Sequence, residues 1–353
     1  MQRIKRPENA KFLIISAFIL TFFSIISCGS TPKNEKNIIP EPEWIANKKS
    51  VYPDSEYLAQ LGTGLSARES QNNAIAELAA YFNTNVKSLV QNESFIYNGK
   101  DNQSWTERSV QSSIVTTTDL ELFALETTDP YYLDRENKWY CCAYINRKTA
   151  WNQYEPLVRD KKNEFYSFYS LAEGYTDPLD KIKAYSNTQA PAQAFIASLF
   201  RASMFSKPLT DQAFGKDRAL AASLPGLIQK EKDRCLLYVN CTGDFGNIVS
   251  SAVNSIFSDM GFKLSDSKER SIYIVETAIN YNAIEQDDLL VYYPSVKLSV
   301  NSTEKSLYVY ENKLDRILSY NESKAKNTAC NKVSELLQKE LAADFKAAIG
   351  LVE

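Results

Sequence analysis

The chain of 353 residues contains no histidine. That absence removes the Ser-His-Asp and Cys-His arrangements of nucleophilic catalysis, the commonest metal ligand and the usual neutral-pH general base. It leaves paired carboxylates as the route by which such a chain would act as a hydrolase. Excess positive charge is also missing, since 40 Lys+Arg stand against 43 Asp+Glu for a formal charge of −3. Residues 1–27 hold four basic groups against Glu8, so the remainder carries about −6. A body of that charge offers no electrostatic footprint for nucleic acid or anionic head groups. A disulfide framework is absent too: apart from Cys28 the cysteines are Cys141, Cys142, Cys235, Cys241 and Cys330, an odd number with no framework spacing. Adjacent strand residues point to opposite faces, and Cys235 and Cys241 lie too far apart along one strand to bridge. These five read as small buried apolar side chains. No CxxC pattern supports zinc, and no apolar run reaches the roughly 20 residues that span a bilayer.

What is present begins with Cys28. Basic Arg3, Lys5, Arg6 and Lys11 precede fifteen uncharged residues, Phe12 to Ile26. These are the n-region and h-region of a secretory signal. Small Ser27 just before the cysteine, with branched residues behind it, resembles the lipobox of bacterial lipoproteins. The resemblance implies cleavage before Cys28 and lipid on its thiol, an attachment that several acyl chains make effectively permanent at about 0.8 kcal/mol per buried CH₂. Gly29 and Ser30 follow with no aspartate to mark inner-membrane retention, so the outer membrane is the expected destination.

Downstream of a signal over 1–27, residues 28–42 form a polar, proline-bearing tether. Three regions of different pattern follow. Residues 43–148 read as a small α+β domain, with a strand at Tyr57–Gly62 and a helix opened by the capping box Ser66/Glu69. Further strands are expected at Asn85–Phe95, Asp119–Leu125 and Trp139–Ile145. Residues 149–230 read as helices at Thr149–Ala172, Asp177–Ser186, Ala192–Phe205 and Asp211–Ile228, packed as hairpins. Residues 231–353 run β-α-β-β-β-α, and alternating Val296, Leu298 and Val300 mark an antiparallel sheet with one wet face. The fold class is therefore α+β.

The segment Pro42-Glu43-Trp44-Ile45, then Tyr57 to Gly64 and the helix bearing Ala67, Ala74 and Leu78, resembles the Lpp-twenty family of bacterial envelope lipoproteins. The strand Trp139 to Ile145, followed by Arg147 and Ala150, is similar to that family's closing strand and helix start. The resemblance covers about the first third of the chain beyond Cys28. It implies a surface or periplasmic lipoprotein with no catalytic residues to transfer. By element order and Met260-Gly261-Phe262, the last third is similar to small α/β domains of envelope assembly proteins. These include activator lipoproteins of cell-wall synthases and a flagellar outer-membrane ring protein.

Other motifs carry less. Gly62-Thr63-Gly64-Leu65-Ser66-Ala67 fits the dinucleotide fingerprint, but the acidic residue and alternating βα units that give it meaning are missing. Its glycines read as a tight turn and close helix approach. Asp244-Phe245-Gly246 matches the kinase tripeptide in letters only and reads as turn and cap chemistry. Asp287-Asp288 reads as a solvated loop. Nothing sets Glu276 and Glu285 facing one another as a glycosidase pair. Tyr292, Tyr293, Tyr308 and Tyr310 lie on neighbouring strands. Some of them must face outward if Val296 and Leu298 face inward, which gives a candidate interaction surface beside the plainer role of cross-strand pairing. The sequence thus reads as a non-enzymatic envelope lipoprotein with no cofactor beyond the lipid on Cys28. Its expected partners are the membrane, through that lipid, and other envelope proteins, with no nucleic acid. Binding of cell-wall glycan or a small ligand is the alternative, and a carboxylate-based hydrolase comes last.

Overall fold

The computed structural model describes residues 40–97, 123–286 and 289–351, and Glu41–Glu353 form one compact unit. Cys28 and most of the tether lie outside the described residues, as does the Asp287-Asp288 pair. The architecture is α+β, with two sheets and a long helical hairpin in the order of the chain.

The first sheet is built on β1 (Tyr57–Gly64) and β4 (Lys138–Asn146), antiparallel with Leu58 opposite Ile145. The short strands β2 (Leu125–Thr127) and β3 (Tyr131–Leu133) also pair with β4. Helix α3 (Ala67–Tyr97) covers one face. Ser66 caps it by accepting from Glu69 N, and the Glu69 carboxylate reaches back to Leu65 N. The other face is covered by α1 (Glu43–Ala46) and α2 (Lys48–Val51). Trp44 is buried there over Ala59 and Cys142, and Lys48 donates to the Ala59 carbonyl at 2.6 Å. The strand expected at Asn85–Phe95 is instead the continuation of α3. Ala74, Leu78, Phe82, Val86 and Val90 recur every four residues and are all buried, so helical spacing outweighs the local β-branched content. Of the strand expected at Asp119–Leu125 only its end is described, and Leu125 opens β2.

Helix α4 (Arg147–Glu173) starts under an Asn146 cap. Helix α5 (Pro178–Ala222) starts under Asp177, whose carboxylate accepts from Asp180 N at 3.0 Å, with proline at the first position. The break expected between the helices Asp177–Ser186 and Ala192–Phe205 does not exist. Pro191 is buried within the helical run, and the break falls at Ser206 (φ −155°, ψ 99°), two residues ahead of Pro208. A proline disfavours helical geometry in the residue before it and removes a helix donor. Helix α6 (Leu224–Arg234) leads into the second sheet.

That sheet contains β5 (Leu236–Thr242), β6 (Lys263–Ser265), β7 (Tyr273–Gln286), β8 (Leu289–Asn301), β9 (Ser306–Lys313) and β10 (Ile317–Ser319). The spatial order is β10-β8-β7-β5-β6, with β9 also on β8. The sheet is antiparallel from β7 to β10, as expected, but β5 pairs parallel with both β6 and β7. Helix α7 (Ile248–Asp259) carries the chain from β5 to β6, the kind of crossover that parallel pairing requires. Gly261 ends that helix region at φ +84°, where a side chain would strain the backbone. Helix α8 (Glu322–Ala348) packs with α7 on one face, and the Phe257 and Phe345 rings meet edge-on at 5.2 Å. A single apolar cluster runs from Leu58 through Phe165 and Phe195 to Phe345. Polar ties reinforce it: Tyr273 donates to Asp177 at 2.9 Å and accepts from Leu179 N, and Lys305 meets Asp180 at 2.7 Å.

Candidate contact surface

Strand parity sorts the four candidate tyrosines. On β8 Val296, Leu298 and Val300 are buried on the α8 side, and Tyr292 shares their parity and is buried. On β9, Tyr308 sits opposite Val300 and Tyr310 opposite Leu298, which turns both inward as well. Their hydroxyls donate to Asp344 and Glu340 on α8 at 2.5 and 2.8 Å. Burial, followed by the bond to Asp344, holds the Tyr308 hydroxyl above its ordinary value, and burial does the same for Tyr310. Three of the four candidates are therefore core residues, two of which satisfy their hydroxyls on the covering helix. Only Tyr293, 43% exposed, faces water.

Tyr293 belongs to an apolar patch on the face of the same sheet that no described residue covers. Ile284 on β7 lies opposite Val291 on β8, and Val291 lies opposite Leu318 on β10, so three apolar side chains form one row across three strands. Val291 is itself buried, although it is on the wet face, because its two neighbours flank it. Leu289, Tyr293, Arg316 and Tyr320 complete the walls of an open cleft of about 460 Å³. Ile284, Leu318 and Tyr320 are 57%, 51% and 81% exposed. Further along, that face is mostly polar: Glu276, Asn280, Lys297, Glu311 and Lys313 are exposed, with Val309 a single exposed aliphatic side chain among them. Alternation in a half-covered sheet places polar residues outward, and at this end the rule is broken. The sequence carried a signal for it. Leu289-Leu290-Val291-Tyr292-Tyr293 is apolar at both parities, which a strand with one wet face does not need.

The remaining motifs have structural work. A Cβ on Gly62 would lie 2.0 Å from Ala74 N, and one on Gly64 would lie 2.6 Å from Ser70 N. The two glycines therefore allow α3 to press onto β1, as their close-approach reading expects. Asp244 accepts from Val249 N at 3.1 Å and Ser250 N at 2.9 Å, capping α7, whereas the Asn247 side chain makes no cap bond. Glu276 and Glu285 are nine positions apart on one strand, about 30 Å at the usual rise, too far for a glycosidase pair. Cys141, Cys142, Cys235, Cys241 and Cys330 are all free thiols. Cys141 joins the main core and Cys142 the Trp44 cluster, on opposite faces of β4. Burial pushes the Cys142 thiol up to about 12 and the Cys241 thiol up to about 11, values that suppress thiolate reactivity. Among the described residues no group of three or more acidic or cysteine side chains is placed to hold a metal, and no helix is long and apolar enough to cross a membrane.

No protein-family model matches the chain, and no curated protein matches it significantly. Among solved structures the chain is similar to a secreted protein of Helicobacter pylori, at 17% identity and TM-score 0.30 over 80% of this chain and 96% of that one. It is also similar to a minor lipoprotein of Acinetobacter baumannii, at 6% identity and TM-score 0.24 over 31% of this chain and 92% of that one. A lipoprotein of Neisseria meningitidis overlaps at 14% identity and TM-score 0.21, over 30% of this chain and 98% of that one. Overlaps this low define no shared fold.

Proposed function

We propose that this chain is a lipid-anchored protein of the bacterial cell envelope, held at the outer membrane through Cys28 and acting by protein–protein contact instead of catalysis. The observation that carries this reading is the apolar row Ile284–Val291–Leu318 on a mostly polar sheet face that no described residue covers. Aliphatic side chains framed by Tyr293, Tyr320 and Arg316 have the composition of an interface core, where aromatics and arginine are enriched. The lipobox-like stretch at Cys28 supplies the anchor, and the Lpp-twenty-like stretch from Pro42 onward supports the envelope setting. The test is a photo-crosslinking side chain introduced at position 318 in the full chain, expressed in the producing bacterium. Discrete crosslinked bands are expected there and none from position 297 on the polar stretch. A blank result at 318 overturns the contact reading. Labelling with a clickable fatty acid tests the anchor separately: wild type takes the label and Cys28→Ala does not, whereas label on the variant overturns it.

A second reading rests on the exposed rings of Tyr293 and Tyr320, which could stack on sugar faces of the cell wall. It requires that protein lacking residues 1–28 sediment with purified sacculi and that Y293A/Y320A release it. Wild-type protein left in the supernatant ends that reading.

A further inference from the structure

We infer that this end of the sheet meets a second copy of the same chain, joined antiparallel along the edge of β10, so that the apolar row is extended across the pair. The inference rests on the contact reading of this apolar end of the sheet and goes further by naming its partner. Among the described residues strand β10 pairs with β8 alone, on one side, and stands at the end of the sheet order. An open strand edge is a template for another strand. Strand parity puts Arg316, Leu318 and Tyr320 on the wet face, while Ile317 is buried beneath the sheet.

The segment Arg316-Ile317-Leu318-Ser319-Tyr320 is its own complement under a two-fold axis. Antiparallel pairing centred on Leu318 sets Leu318 beside Leu318 of the second copy. The same register places Arg316 across from Tyr320 of the second copy, twice. A guanidinium over a tyrosine ring is attracted by the ring quadrupole, and directly opposed apolar pairs are the unit of sheet stabilisation. One step further out, Asp315 falls opposite Asn321, so like charges do not meet. The row Ile284–Val291–Leu318 then continues into its symmetry mate, and six strands share one apolar stripe. The interface is isologous and closes at two copies, leaving no further free β10 edge. Lipid anchoring would confine both copies to one plane and raise their effective concentration.

The test is sedimentation velocity on the full chain in mild detergent over a range of concentrations. Wild type is expected as a reversible dimer. Y320R sets arginine against arginine at both ends of the pairing and is expected to weaken the dimer at least about tenfold. The double variant R316E/Y320R restores opposite charges in the same register and is expected to bring the dimer back. Both positions are exposed, so the variants should fold, and recovery in the double variant excludes misfolding as the cause. A monomeric wild type, an undiminished Y320R dimer or a failed rescue overturns the inference. Crosslinks from position 318 to a different protein, with a monomeric chain, overturn the second copy and leave the contact reading standing.

Discussion

The two sheets solve the same problem differently. In the first, β4 alternates between two apolar layers. Cys141, Ala143 and Ile145 pack beneath α3, while Cys142 and its neighbours are covered by Trp44 and the short helices around it. In the sheet that follows, α7 and α8 cover one face and nothing described covers the other, which is polar along most of its length. Tyrosines show the contrast well. Tyr52 and Tyr144 stack at 4.5 Å on the covered face of the β1–β4 sheet, whereas Tyr293 and Tyr320 on the β8–β10 sheet are turned toward water. Apolar residues on a covered face are explained by the cover. On a face that no described residue covers, the cover does not explain them, and the proposed contact rests on that difference.

Removing the cover should break that comparison most severely. Trp44 is 8% exposed and seals Ala59 and Cys142. Trp44→Ala is expected to destabilise the chain by about 3 kcal/mol, at the lower end for a buried aromatic because the cluster lies near the surface. Urea unfolding followed by circular dichroism measures it. A loss under about 1 kcal/mol would mean that the first sheet tolerates a bare apolar face, and the two sheets would not differ in kind.

A smaller effect reads the covered face of the second sheet by pH. An unfolded tyrosine loses its proton near pH 10, but burial and the bond to Asp344 hold Tyr308 protonated to higher pH in the folded chain. Above about pH 10 the folded state therefore binds more protons than the unfolded state, so stability is full below that pH and falls as pH rises. Tyr308→Phe should flatten the decline by up to about 1 kcal/mol per pH unit. Melting temperatures from pH 8 to 11 measure the slope, and a decline as steep in Tyr308→Phe as in wild type would show that the buried hydroxyl on Asp344 does not set it.

These contrasts were only partly legible beforehand. The spacing of Val296, Leu298 and Val300 shows a one-sided sheet, and Tyr292 and Tyr293 follow from it by counting along a single strand. Tyr308 and Tyr310 do not, because their direction depends on Leu298 pairing with Tyr310, a non-local register. The same limit hid the contact surface. Ile284, Val291 and Leu318 are far apart in sequence and become neighbours only across two strand pairings, and three-residue strands such as β10 are too short for periodicity to show. Val86 and Val90 misled for the opposite reason: locally they favour a strand, and only the sheet beneath α3 gives their four-residue spacing its meaning. Cap chemistry needs no partner from elsewhere in the chain, and the Ser66/Glu69 capping box was readable directly.

The smallest expected effect is the most informative, because it asks whether the apolar row serves the fold or something outside it. Leu298 and Leu318 belong to the same sheet, one at 0% exposure beneath α8 and the other at 51% on the bare face. Leu298→Ser removes a packed side chain and buries a hydroxyl, and is expected to cost about 3 kcal/mol or more. Leu318→Ser exchanges one partly solvated side chain for another and should change stability by no more than about 0.5 kcal/mol. Urea titration at concentrations low enough to keep the chain monomeric gives both numbers without any contribution from association. If Leu318→Ser costs more than about 1.5 kcal/mol under those conditions, the row Ile284–Val291–Leu318 is holding the β7–β8–β10 end together. Its exposure would then be a by-product of folding. A near-zero change in the monomer, beside a lost dimer at higher concentration, separates the two roles: the fold does not need the leucine, and the interface does.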